Sequence, residues 1–182
     1  FLFADEVQRV GFPLPFLTLG TVGPTLMAYG SPEVKTEILP RILAGDLHFA
    51  IGYSEPGAGT DLASLTTSAV RDGDEWVING QKTFTSLADF ADYIWLAART
   101  DPTSKKHRGI SIFIVPTTAP GFKLTPIWTM ADVRTNATYF DNVRVPARYL
   151  IGGENNGWGL ITNQLNHERV SLFPIGPFER LQ

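Results

Sequence analysis

Between residues 68 and 146 the chain repeats one pattern: a short run rich in β-branched and aromatic residues, then a turn. That repetition constrains the fold more than any other feature. "TTSAVRDGDEWVINGQKTF" holds Asp72-Gly73 and Asn79-Gly80, dipeptides that favour the φ > 0 turns of tight hairpins. Between them Trp76 and Ile78 alternate with Glu75, Val77 and Asn79, as on a strand with one buried face. "DYIWLAART", "GISIFIVP", "GFKLTPI" and "ATYFDNVRVP" are further strand candidates. Strand after strand, bounded by turns, predicts an antiparallel barrel or sandwich over residues 48–150. The polar stretch "TDPTSKKHRG" (100–109) reads as a solvated hairpin tip.

Helical patterns flank this zone, so the fold class is α+β. In residues 1–47, Ser31 is a plausible N-cap, with Pro32 at the first helical position and Gly45 at the stop. Val34, Ile38 and Leu39 form an apolar stripe, and Pro40 is expected to kink or interrupt the helix. The preceding "GFPLPFLTLGTVGP" is apolar with breakers, which predicts short or broken helices. A third zone, 151–182, returns to helix from about residue 154, with Ile161, Leu165, Glu168 and Leu172 on one stripe. Thr162, Asn166 and Arg169 lie on a neighbouring polar stripe.

Composition excludes several classes. The 182 residues suit about one domain, and 43% hydrophobic content can supply a core. Basic residues are scattered and the net charge is −3, which argues against a nucleic-acid partner. Cysteine is absent, so there is no disulfide or thiolate metal site, and a cytoplasmic location is expected. No apolar run is long enough to span a bilayer as a helix. His48, His107 and His167 are isolated, so no metal site is expected. "GAGTDLA" lacks the third glycine of a dinucleotide fingerprint and leads into strands. Phe1 begins in mid-pattern, which reads as a piece of a longer chain.

"GYSEPGAGTD" (52–61) crowds small, polar and glycine residues at the end of an apolar run. Gly57 and Gly59 permit close approach to backbone, and Ser54 and Thr60 supply hydroxyl donors. A ligand-binding loop and a plain glycine-rich turn fit this stretch about equally.

"YSEPGAGTDLAS", "DGDEWVINGQKTFTS", "YFDNVRVPARYLIGGENNGWGLI" and "LNHERV", in this order, resemble the acyl-CoA dehydrogenase family across nearly the whole chain. The resemblance implies the end of an N-terminal helical domain (1–47), a middle β domain (48–150) that binds flavin and acyl-CoA, and the start of a C-terminal helical domain (151–182). It implies FAD as cofactor, with Ile51, Gly52, Tyr53 and Ser54 lining the flavin. Gly59 and Thr60 would meet the cofactor, and Thr60 the thioester arm as well. Phe84-Thr85-Ser86 stands where the family covers the flavin ring. Tyr53 replaces a usual aliphatic, and Leu87 and Ala88 stand where a glycine-containing turn is usual.

The implied reaction is α,β-dehydrogenation of an acyl-CoA thioester, with hydride passing to flavin N5 and electrons onward to an electron-transfer flavoprotein. A homotetramer, or a heterotetramer with a related chain, is implied. The fragments look most like actinobacterial members acting on bulky, including steroid, acyl-CoA. Other readings are a non-catalytic subunit that completes a homologous partner's site, and an acyl-CoA oxidase or flavin monooxygenase on the same fold. Glu168 is one carboxylate among aliphatics. It is either a rim residue paired elsewhere or, as in a minority of the family, the base, with Asn166 and Arg169 holding substrate or helix register.

Overall fold

Helix-ending signals act where the sequence puts them. In this computed structural model, which describes residues 6–7, 9–10, 14–130 and 134–171, helix α2 spans Pro32–Ala44. The Ser31 Oγ accepts from the Val34 N–H at 3.2 Å, and Gly45 closes the helix at φ 80°. Val34, Ile38 and Ile42 are its buried residues, one helical turn apart. The helix runs through Pro40 without ending. Before it, a π-helix (Leu17–Val22) passes directly into α1 (Gly23–Tyr29), so "FLTLGTVGP" is helical but irregular. Thr18 Oγ1 accepts the Phe49 N–H at 2.9 Å and ties this irregular turn to the sheet.

The strands are β1 (Phe49–Gly52), β2 (Ser68–Asp72), β3 (Glu75–Lys82), β4 (Tyr93–Arg99), β5 (Ile110–Pro116), β6 (Phe122–Ile127), β7 (Thr135–Pro146) and β8 (Leu150–Ile151). Among the described residues they form one sheet in the order β6-β7-β3-β2-β4-β5-β8, with β1 also paired to β4. β4 and β5 pair along their whole lengths, Tyr93 with Pro116 through Arg99 with Ile110. Their buried residues build the core with Trp76, whose ring meets Phe113 edge-on at 5.3 Å.

Two expectations change. The sheet is mixed: β1 runs parallel to β4, Phe49 opposite Tyr93 and Gly52 opposite Leu96, and Ser68 bridges Arg99 in the same sense. A parallel pair needs a long connection, and the chain between β1 and β4 supplies it with the β2–β3 hairpin inside. Asp72-Gly73 makes the hairpin turn as expected, with Gly73 at φ 60°. Asn79-Gly80 does not turn. It lies inside β3 at a register shift, where Asn79 Oδ1 accepts the Asn142 N–H at 2.8 Å. Gly80 has φ 150°, and a Cβ there would sit 2.7 Å from the Thr67 Cα, so the glycine serves close packing within a bulge.

Helix α3 (Gly157–Ser171) packs on β5, α1 and the π-helix. Gly157 allows this approach, since a Cβ would lie 2.8 Å from the Ile110 carbonyl oxygen. Ile161 is buried and Leu165 half-buried on the predicted stripe, whereas Leu172 and the rest of 172–182 lie outside the described residues. No described helix is long and apolar enough to cross a membrane.

Candidate functional site

β1 ends at Gly52, paired with Leu96 and packed closely on β4. A Cβ would come within 2.8 Å of the Ile94 side chain. The loop that follows is held by a buried ion pair that sequence reasoning missed. Lys82, at the end of β3, is fully buried, and its Nζ lies 2.8 Å from Glu55 Oε1 and 3.1 Å from the Tyr53 carbonyl oxygen. Glu55 Oε1 also accepts the Thr67 N–H at 2.8 Å, while Oε2 accepts the Thr66 N–H at 2.7 Å and its hydroxyl at 2.8 Å. Burial pushes the Lys82 ammonium down to about 8, against the opposing pull of Glu55. Burial would raise the Glu55 carboxyl, but Lys82 and the Thr donors outweigh it and hold the group at about 2. A lysine at an inward position of a strand was the available signal.

The same clamp aligns a second segment. Thr83 donates its N–H to the Ser54 carbonyl at 2.8 Å, which sets residues 83–86 beside 53–55. Phe84 adopts φ 59° and is 65% exposed. Thr85 turns inward: it is buried, its N–H donates to Asn136 O at 2.9 Å, and its hydroxyl lies 3.3 Å from that of Thr138. Ser86 Oγ reaches Thr135 Oγ1 at 3.3 Å.

Between these segments and α3 lies a cavity of about 220 Å³. Ile51 of β1 and Tyr53 and Ser54 just after it form one wall, Phe84 and Ser86 a second, and Leu165 and Glu168 the helix wall, with Leu17 of the π-helix completing it. Six predicted site residues therefore meet: Ile51, Tyr53, Ser54, Phe84, Ser86 and Glu168. Gly52 and Thr85 lie behind the wall, both buried. Gly59 and Thr60 are exposed on the glycine-rich turn and line no part of the cavity. Asn166 and Arg169 are also exposed, on another face of α3.

Glu168 is half-buried, and its burial among these walls pushes its carboxyl pKa up, with one hydrogen bond from Gln164 pulling the other way. Gln164 Nε2 lies 3.4 Å from Glu168 Oε2. Tyr53 Oη donates to Gln164 Oε1 at 2.7 Å and accepts the Trp95 Nε1–H at 3.0 Å. Gln164 and Trp95 were not foreseen. Gln164 sits one turn before Glu168, at a helix position facing the core, and a polar residue there was the signal.

A half-buried carboxyl of raised pKa, sharing a cavity with Ser54, Ser86 and the exposed Phe84, can take a proton from a weak acid. Comparison with known proteins gives this arrangement its family. Residues 50–143 match "Acyl-CoA dehydrogenase, middle domain". The chain belongs to the acyl-CoA dehydrogenase family. Acyl-CoA dehydrogenase FadE26 of Mycobacterium tuberculosis is 63% identical over 179 residues, covering 97% of this chain and 45% of that protein. The structure of the Tcur3481-Tcur3483 steroid ACAD is similar at TM-score 0.91 and 63% identity, covering 94% of this chain and 44% of that one. The ChsE4-ChsE5 complex from Mycobacterium tuberculosis is similar at TM-score 0.90 and 62% identity, covering 97% and 46%. The chain thus spans less than half the length of these relatives. The mixed sheet flanked by helices is the acyl-CoA dehydrogenase fold.

Proposed function

We propose that the protein containing this chain is an FAD-dependent acyl-CoA dehydrogenase in which Glu168 takes the α-proton of an acyl-CoA thioester. The observation that carries the reading is the cavity itself, where Glu168 faces Ser54, Phe84 and Ser86. The walls suit a flavin. Phe84 offers an uncovered aromatic face, Ser54 and Ser86 offer hydroxyls, and apart from Glu168 no charged side chain lines the cavity among the described residues. Ser54 and Ser86 would hold the flavin, with Ile51, Gly52 and Tyr53 behind it, and Phe84 would cover it. FAD, when bound, supplies the acceptor for the two electrons that leave the β-carbon. Glu168 receives the proton on a carboxylate oxygen, and its raised pKa brings its basicity closer to that of the weak carbon acid. Leu17, Ile51 and Leu165 supply the apolar part of the wall beside that carboxylate.

Gly59 and Thr60, on the open turn, would meet the cofactor's phosphates or the thioester arm, and Asn166 and Arg169 the exposed part of the substrate. The substrate class we favour is a bulky, steroid-derived acyl-CoA, supported by the 63% identity to a steroid ACAD. Pairing with a related second chain is supported by the two-chain composition of the ChsE4-ChsE5 complex. An electron-transfer flavoprotein is the proposed acceptor, and the cytoplasm the proposed location.

The test is Glu168→Gln in the full-length, flavin-loaded protein. FAD content and acyl-CoA affinity should persist while anaerobic bleaching of the flavin by substrate disappears. Bleaching at the wild-type rate would remove Glu168 from the base role.

A further inference from the structure

Tyr53 stands in the cavity wall between Ile51 and Ser54, and its hydroxyl is already fully engaged. Trp95 Nε1–H can only donate, so at 3.0 Å it fixes Tyr53 Oη as an acceptor. The single phenolic proton then points to Gln164, 2.7 Å away, and must meet the amide oxygen. The amide nitrogen is thereby turned toward Glu168 Oε2 at 3.4 Å. Trp95 and Gln164 are fully buried and Tyr53 nearly so, so water does not compete for the Trp95–Tyr53 and Tyr53–Gln164 links. A tryptophan that has no acceptor capacity thus dictates, two residues away, that a donor faces the carboxylate.

We propose that Trp95, Tyr53 and Gln164 act in series as positioning residues that hold the Glu168 carboxyl in one orientation and favour its anionic form. The proposal rests on the reading of Glu168 as base. Its consequence is a balance. Burial raises the basicity of Glu168, while the Gln164 donor pulls toward the anion.

Among the described residues, few other charges bear on this balance. Tyr53 is the one other titratable group lining the cavity, and burial pushes its phenol up, so it stays neutral. Leu17 of the π-helix, Ile51, Ser54, Phe84 and Ser86 carry no charge. On α3 itself His167 and Arg169 are exposed and line no part of the cavity. From α1, Tyr29 meets Asn163 at 3.1 Å instead, and β5 presents only uncharged residues.

The experiment uses full-length protein with the variants Tyr53→Phe, Gln164→Met and their double. In flavin-free protein the infrared band of the protonated Glu168 carboxyl, identified by its loss in Glu168→Gln, is followed against pH. Each single variant should raise the apparent pKa, by about one unit for Gln164→Met, a tenfold change in acid strength. The double should shift no further than Gln164→Met alone, because links in series fail together. In flavin-loaded protein, substrate-driven bleaching should slow about tenfold while acyl-CoA affinity stays within twofold. Gln164→Met keeps side-chain volume and remains informative if Tyr53→Phe folds poorly. Wild-type titration in the Gln164→Met variant, or additive shifts in the double, would overturn the relay. Loss of the base reading is scored separately, by bleaching in Glu168→Gln.

Discussion

Replacing Lys82 by Met tests the clamp that shapes the site. The substitution keeps the length of the side chain and removes the charge that faces Glu55 at 2.8 Å. Breaking one side of a buried pair typically costs 3–5 kcal/mol, because the remaining charge is left without compensation. Here Glu55 would retain the Thr66 N–H, Thr66 hydroxyl and Thr67 N–H, all within 2.8 Å. These donors place the expected loss near the lower end, about 3 kcal/mol. The Tyr53 carbonyl would also lose its donor, so the loop loosens at the cavity wall. Urea unfolding of full-length protein measures the loss. Glu55→Gln combined with Lys82→Met should recover part of it, since no buried charge then remains. The reasoning fails if Lys82→Met lowers stability by less than about 1 kcal/mol, the range of an exposed pair, or if the double is as unstable as the sum of its parts.

Acid should expose the same pair. The folded Glu55 carboxyl, at about 2, lies below its unfolded value near 4.5, so between these limits the unfolded chain binds more protons. Its contribution is therefore complete above about pH 4.5 and is lost as pH falls toward 2, and the slope of urea midpoint against pH over that window should flatten in Glu55→Gln. Gly80→Ala should destabilise by about 3 kcal/mol, combining positive-φ strain with overpacking against Thr67, and thermal unfolding with a near-wild-type midpoint would contradict that.

What the sequence disclosed was governed by range. Ser31, Pro32 and Gly45 act on their own helix, and the structure uses each at the expected position. Trp76 and Ile78 are buried because alternation along one strand carries its own register. Asn79-Gly80 misled because its meaning depends on Asn142, 63 positions away, and on Thr67, which leaves no room for a Cβ. The parallel pairing of β1 with β4 has no local signature at all. Glu168 stood out as a lone carboxylate on an apolar stripe, but its partners did not. Leu17 reaches the cavity from a π-helix, and Trp95, among the five buried central residues of β4, touches the site only through the Tyr53 hydroxyl.

Tyr53 connects the two devices described above, and this explains why a tyrosine is useful at the end of β1. Its carbonyl oxygen accepts from Lys82 at 3.1 Å, and its hydroxyl donates to Gln164 at 2.7 Å. The backbone is thus fixed by the ion pair and the side chain by Trp95, so the residue has little freedom at either end. An aliphatic side chain here could fill the wall but could not orient the Gln164 amide. The departure at Tyr53 therefore coincides with the point where the clamp on the loop meets the group acting on Glu168. On the proposed reading of Glu168 as base, a carboxylate held this way need not search for its orientation after substrate arrives, which favours proton transfer.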